Sequence, residues 1–556
     1  MSQISDARRR TWGNPVDARS DRARHDAAQH VKEHELAGQR MINIVGVAIS
    51  VLVPMAACAL VFGPWIEWTP DGFHYLALAR SFAETAGLPA ERVTTPPGFP
   101  LLLAPLMSSG DLPIAGVRVL LAGGFISTCA LTFLLYRRLI GEGWAIAAAV
   151  MTGLSATLLV QSTTILSESI YLPMSLLALL ILTRWSKTGP TDFADLAWGG
   201  IAVAGAWAVR STGLLLVPVA AWTAFRGSEG SFGKRFGRAA LVTLIATAPV
   251  IAWELRQSSY AAKHGYLDSI LRPRTAIGET QASASTNSNS PGGSHADAKG
   301  VGMAPTFWEL QLERLTRFGP LRMRDMAAAI VPPRVGWRFL SGEWALPAAC
   351  LISVGVLVAA LHGLVRHRRP ADLYLILYVA LLAVWPWKEG TRLMMPLVPI
   401  CIGYAACAGR RMWETRGALA PAAKAVSIGA TACVLTVFCW EENLTVKSLR
   451  GRAPVSQARM LDMQIMGEWL EGHVEPAEHV QALVPAGSSA KLTLLGGRFL
   501  SRRDVRIQDS SNCDVVTEKP DVPWRLVHRS MFASSLPPAA KGRIAVGDFV
   551  AIKTSR

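Results

Sequence analysis

This chain is short of charge. Only 17% of its 556 residues are Asp, Glu, Lys or Arg, against 51% hydrophobic, a balance that excludes an ordinary soluble multidomain protein. Acids are the scarcer sign, 40 against 56 basic residues. Cysteine is sparse as well: of eight, only Cys513 lies in polar sequence, while Cys58, Cys129, Cys350, Cys401, Cys407, Cys433 and Cys439 sit in apolar stretches. None is spaced with a histidine as metal ligands are, so they read as small core residues and imply neither a metal site nor a disulfide framework. The glycine fingerprints of dinucleotide-binding turns and P-loops are missing, and so is any internal repeat. "GGFIST" and "GWAIAAAV" lie in apolar runs, where glycine serves helix packing.

Long apolar runs are what the chain does have. Crossing hydrocarbon as a helix takes about 20 mostly apolar residues, and stretches meeting or approaching that length recur near 42–63, 114–136, 143–161, 166–184, 196–222, 239–256, 343–365, 371–387, 393–409 and 424–440. The expected fold class is mainly α, a polytopic membrane helical bundle of roughly ten to twelve spans. A net charge of +16 would suggest nucleic acid in a soluble protein, but between membrane spans basic residues report topology. Short loops carrying Arg137 and Arg138, Arg184 and Lys187, Arg226 with Lys234, Arg235 and Arg238, Arg366 with Arg368 and Arg369, and Arg410 with Arg411, Arg416 and Lys424 are expected in the cytoplasm.

The arm 1–40 mixes Arg with Asp, Glu and His. It reads as a disordered cytoplasmic tail against anionic lipid, with no nucleic-acid partner. It also sets the first span too deep for a cleaved signal peptide. Alternation then places 64–113, 257–342 and 441–556 outside the cell membrane, provided 196–222 goes out and returns as a broken hairpin around "AVRSTG". Arg210 and Gly213 mark the break, since an arginine at mid-hydrocarbon faces a cavity or a partner.

A membrane body is therefore expected over 41–440 and a separate external domain over 441–556. Within the large loop, the Ser/Asn/Gly-rich stretch 278–303 has too little apolar surface to pack and is expected to be mobile. "APTFWELQLERLTRF" reads as a helix lying on the membrane surface. Past Glu441, "ARMLDMQIMGEWLEGH" reads as an amphipathic helix. "HVQALVPAG", "KLTLLGGRF", "CDVVTE", "WRLVHRS" and "DFVAIKT" read as short strands, giving a small α/β domain.

Chemistry enters at "WTPDGFHYLALARSFAETAGL". Thr69 suits an N-cap, Pro70 the first helical position, and Asp71 then falls in the first turn, where exposed N–H groups and the macrodipole favour a negative charge. Helical spacing puts Asp71, His74 and Ser81 on one face and Phe73, Leu76, Ala77 and Ala83 on another. Such an acid could accept a proton from a hydroxyl, bind a cation, or stabilise the helix start. "TTPPGFPLLLAPLM" follows, a rigid Pro-Pro-Gly turn that sets the approach of a short helix to the membrane.

In matching order, "PDGFHYLALARSFAETAGL", "TTPPGFPLLLAPL", "GVRVLLAGGFISTCALTFLLYRRL", "LSESIYLPMSLLALLILTRW", "GGIAVAGAWAVRSTGLLLVP", "APVIAWELRQ" and "GTRLMMPLVPI" resemble the GT-C membrane glycosyltransferases. The resemblance is to the family 39 branch related to protein O-mannosyltransferases and the lipid A aminoarabinose transferase, and it runs from about Ile42 to Ile402. It implies a GT-C bundle that transfers a sugar from a polyprenyl-phosphate carrier to an acceptor on the external face, with inversion by single in-line displacement. Asp71 matches the acid that serves as general base. Arg392 in "GTRLMMPLVP" matches an arginine ahead of the last Pro-containing span and is implied to contact the donor phosphate, with Lys388 and Arg210 as further candidates. Glu168 in "LSESIYLP" matches an acid at the outer end of the corresponding span, which reads equally as orienting a loop or the base or as a solvated helix start, and His74 is read as a site-lining or packing residue.

The chain also departs from the family pattern. Gly72 stands where many relatives carry a second acid, and Thr94 and Thr95 replace the acid before the proline turn. The resemblance therefore brings no certain cofactor: a divalent cation would lack the acids that hold it. The donor is expected to be a polyprenyl-phosphate-linked sugar, the acceptor an envelope protein, lipid or polysaccharide. Two other readings stand beside this one, a polytopic transporter and a non-catalytic envelope-binding scaffold. An inverted repeat would favour transport, and Asp71 with Arg392 across one outward cavity would favour transfer.

Overall fold

A computed structural model describes residues 38, 41–63, 65–85, 95–107, 114–258, 307–330, 345–385, 390–414, 420–475, 479–485, 490–501, 504–510, 524–528, 543–546 and 549–553. The arm before Gly38, the stretch 278–303, the proposed strand "CDVVTE" and Lys388 lie outside them. Helix α1 (Met41–Val61) leads into the first loop, which holds α2 (Pro70–Thr85) and α3 (Gly98–Met107). Next come α4 (Ile114–Ile140), α5 (Glu142–Gly153), α6 (Ala156–Gln161), α7 (Glu168–Thr188), α8 (Phe193–Val209), α9 (Leu216–Gly227) and α10 (Phe232–Ser258). After the large loop follow α11 (Phe307–Ile330), α12 (Ala345–His367), α13 (Pro370–Val384), α14 (Val398–Trp413) and α15 (Ala420–His473).

The protein is a mainly helical membrane bundle. Among the described residues six helices are long and apolar enough to cross a bilayer: Met41–Val61, Ile114–Ile140, Glu168–Thr188, Phe232–Arg256, Cys350–His367 and Arg392–Trp413. Several of the other expected spans form shorter pieces. The run 143–161 divides into α5 and α6 around Leu154 and Ser155. The run 196–222 breaks where the sequence marks it: Arg210 takes extended backbone (φ −152°, ψ 135°), and a 3-10 turn, Ser211–Leu215, connects α8 to α9. These two run as a hairpin, since Gly189 ahead of α8 touches the backbone of Gly227 at the end of α9, and α10 packs along both. On α2 the open face carries Asp71, His74 and Ser81 as spacing predicts. Ala77 joins them, contrary to its expected grouping with Phe73, because it follows His74 by three residues, nearly one turn.

One helix, α15, runs across positions 440 and 441 without a break. Its second half carries a small α/β unit: β1 (His479–Pro485), α16 (Ala490–Ser501), β2 (Asp504–Ser510), β3 (Trp524–His528), β4 (Arg543–Val546) and β5 (Phe549–Lys553). The sheet order is β2-β1-β3-β5-β4, with β1 parallel to both neighbours and β5 antiparallel to β3 and β4. Val480, Ala482, Val505, Leu526 and Phe549 of the sheet close a core with Met466, Trp469 and Leu470 of α15 and Leu494 of α16.

The expected strand "KLTLLGGRF" is instead helix α16. Its paired glycines lie directly against Met463 and Met466, an approach between two helices that any side chain at those positions would prevent. Strands β2 and β4 were not foreseen. Helix α16 also packs against α2, so the α/β unit and the Asp71 helix share one end of the bundle.

Helices α4 and α7 approach each other closely at one glycine. A Cβ on Gly124 would fall 2.2 Å from the carbonyl oxygen of Ser169, whereas neighbouring Gly123 has nothing within 4 Å. Gly124→Val should therefore force the helices apart and destabilise the fold by about 1–3 kcal/mol, with Gly123→Ala nearly neutral. Thermal unfolding of the purified membrane protein reads the difference, and equal behaviour of the two variants would show that this contact does not hold the bundle.

Candidate active site

Two helix beginnings are brought side by side by a short piece of strand-like pairing. Glu67 and Thr164 form an isolated parallel bridge, and the Glu67 N–H donates to the Thr163 carbonyl at 2.8 Å. Each partner is followed four residues later by an acid, Asp71 at the head of α2 and Glu168 at the head of α7. Gly72 lies against Ile165, which keeps the two turns in contact. Thr69 caps α2 as expected, its Oγ1 accepting from the Gly72 N–H at 3.0 Å. Both carboxylates thus sit at helix starts, where the backbone favours negative charge.

Two arginines from distant segments meet these acids. Arg392, on the 3-10 stretch Gly390–Leu397, donates from Nη1 to Asp71 Oδ2 at 2.6 Å and from Nε to Glu168 Oε1. Arg210, at the α8 break, places Nη1 2.8 Å from Glu168 Oε2 and 3.1 Å from Ser167 Oγ. The order is Asp71, Arg392, Glu168, Arg210, with charges alternating. Exposure rises along part of it: the Glu168 side chain is fully buried, Arg210 is 12% exposed, Arg392 24% and Asp71 50%. A carboxylate out of water holds its charge only when paired and hydrogen-bonded, and Glu168 has a guanidinium on each oxygen. It acts as the anchor, and Asp71 as the open end.

Sequence reading missed the hydroxyls around this chain. Ser167 Oγ accepts from Arg210, donates to Glu168 Oε2 at 3.3 Å and lies 3.2 Å from the Tyr75 hydroxyl. Burial pushes the Tyr75 phenol above its ordinary range, with Arg210 pulling the other way, so Tyr75 stays a neutral partner. Deeper, the Tyr171 and Tyr374 hydroxyls lie 2.8 Å apart. The polar run "LSESIY" at the start of α7 held the signal for Ser167 and Tyr171, whereas Tyr75 and Tyr374 look like ordinary core aromatics in sequence.

Of the residues singled out from sequence, Asp71, Glu168, Arg210 and Arg392 converge in one network. His74 stands beside it on the open face of α2, its Nε2 3.3 Å from Thr95 Oγ1, so the threonine ahead of the proline turn meets the histidine. Lys388 is outside the described residues. Among the described residues no group of three or more His, Cys, Asp and Glu side chains gathers as metal ligands would, and a cation near Asp71 and Glu168 would compete with Arg392 for both carboxylates.

No family model matches the chain, and no curated protein matches it in sequence. Solved structures do match in shape. ArnT from Cupriavidus metallidurans in the apo state superposes with a TM-score of 0.51 at 12% identity, covering 92% of this chain and 97% of that one. The same protein bound to undecaprenyl phosphate gives 0.50 at 12%, covering 92% and 98%. The Archaeoglobus fulgidus oligosaccharyltransferase tethered to an acceptor peptide containing the NVT sequon gives 0.52 at 12%, covering 88% and 69%. At such identity the likeness carries the fold alone: the architecture of this chain is that of the GT-C membrane enzymes.

Proposed function

We propose that this protein is an inverting membrane glycosyltransferase that moves a sugar from a polyprenyl-phosphate carrier to an acceptor hydroxyl on the membrane face opposite the basic loops. One observation carries the reading: Asp71 and Arg392, candidates for base and phosphate partner, come from positions 321 residues apart and meet at 2.6 Å. The shape shared with an enzyme solved with undecaprenyl phosphate supports the same donor class. The orientation follows the positive-inside rule, with the N-terminus cytoplasmic and the α/β unit external.

The chemistry is a single displacement. The acceptor O–H gives its proton to the Asp71 carboxylate as its oxygen bonds to the anomeric carbon. On the opposite face, the bond from that carbon to the phosphate oxygen breaks, and the electron pair leaves with the carrier phosphate. Asp71 needs only hydrogen-bond reach and a charged carboxylate. Arg392 meets the charge that develops on the leaving phosphate, and Lys388, four residues earlier, is a second cation for it. Glu168 holds Arg392 through Nε, leaving the Nη edge of the guanidinium to turn from Asp71 to the donor. Arg210 pairs with the second oxygen of Glu168, and His74 with Thr95 lines the acceptor side. Before the donor arrives, Asp71 is held by Arg392; the incoming phosphate competes for the guanidinium and frees the base.

Asp71→Asn should lower transfer by about 10²–10⁴-fold while the protein still accumulates in the membrane. Mass spectrometry of envelope glycans and carrier lipids in cells lacking the gene and complemented with either form is the test; full complementation by the Asn form would remove the proposed base. Glu168→Ala should act differently, leaving two guanidiniums facing each other in a buried site at a cost of about 3–5 kcal/mol. A melting temperature for Glu168→Ala equal to that of the parent would show that Glu168 is not the anchor of the network.

A further inference from the structure

The far end of the bundle holds a second polar feature, remote from Asp71. Helices α4 and α7 run in the same direction, in contact where Gly124 meets Ser169. From that contact Arg138 lies 14 residues on and Arg184 15 residues on, so both come roughly 21 Å lower at the same depth. Between the helices there opens a cavity of about 220 Å³, walled by Leu134, Leu180 and Ile181 and rimmed by Arg137, Arg138 and Arg184. Arg138 and Arg184 each sit one turn beyond a wall residue, Leu134 and Leu180. A second cavity of about 410 Å³ adjoins it, lined by Asn43, Arg137, Arg138, Gly141 and Glu142. Arg137 and Arg138 border both.

An apolar slot, a polar basin and guanidiniums at their junction match one kind of molecule: an amphiphile whose anionic group lies between an acyl chain and a polar head. We propose that this end of the bundle binds an anionic glycerophospholipid from the leaflet that the basic loops face, its phosphate on Arg138 and Arg184, one acyl chain in the slot and its headgroup in the basin. Arg138 is exposed. Arg184 is 47% exposed and tied to Asp195 at 2.7 Å, and Arg137 is held by Asn43 Oδ1 at 2.8 Å and lies over Phe133. Lys187 adds a fourth cation, its ammonium reaching the Arg138 carbonyl at 3.4 Å. Against these stand Asp195 and Glu142, so the balance is positive. Basic pockets between spans are known headgroup sites, and the site is independent of the transfer reaction.

The test places the full-length protein in nanodiscs of equal phosphatidylglycerol and phosphatidylcholine and reads the lipids retained by native mass spectrometry. Phosphatidylglycerol should be retained in about tenfold excess, and the excess should fall to parity in the double variant R138Q/R184Q. Leu180→Trp, which fills the slot without touching the charge, should also reduce it, and serves should the double variant not fold. Parity of the two lipids on the parent protein, or an excess that survives either variant in folded form, would overturn the proposal.

Discussion

A fully buried carboxylate, Glu168, is what the Asp71 end of this molecule is organised around. Fully desolvated charge is expensive unless both oxygens find donors, and here one oxygen takes Arg392 and the other takes Arg210. Those two guanidiniums come from a 3-10 stretch late in the chain and from a helix break in its middle. Each would be costly at that depth without the shared anion. The carboxylate thus pins three segments, α7, the α8 break and the stretch ahead of α14, against the head of α2.

Once that anchor is in place, the rest of the site follows from geometry. Arg392 is held through Nε, which leaves its Nη edge on the side where Asp71 is half exposed. The bridge between Glu67 and Thr164 keeps the two acid-bearing helix starts from separating. Ser167 and Tyr75 fill the remaining hydrogen-bond positions with neutral hydroxyls, so the alternating charges are not screened by additional ions. The network is buried at Glu168 and open at Asp71, so its most exposed ion pair is the one that meets solvent.

The two ends of the bundle contrast in how they treat charge. At the Asp71 end acids and arginines are paired in alternation and sunk among helices. At the opposite end Arg137, Arg138, Arg184 and Lys187 crowd together with fewer acids, where water and lipid headgroups screen them. Helix α7 carries both, Glu168 at its first turn and Lys187 at its last, so one helix connects a neutralised ionic site to a positive rim.

Much was legible in the amino-acid order because its causes are local. The Thr69 cap, the break at Arg210 and the first-turn position of Asp71 all depend on residues within a turn or two of one another, and each stands where spacing put it. What failed was equally physical: "KLTLLGGRF" is apolar enough for a strand and became a helix because Met463 and Met466 offered a surface that its glycines could reach. Sequence by itself therefore determined the membrane class and the identity of the charged candidates. Only the tertiary structure decided that Asp71, Glu168, Arg210 and Arg392 form one chain, because the pairing of buried charges joins residues hundreds of positions apart, and no local periodicity records which cation each anion will find.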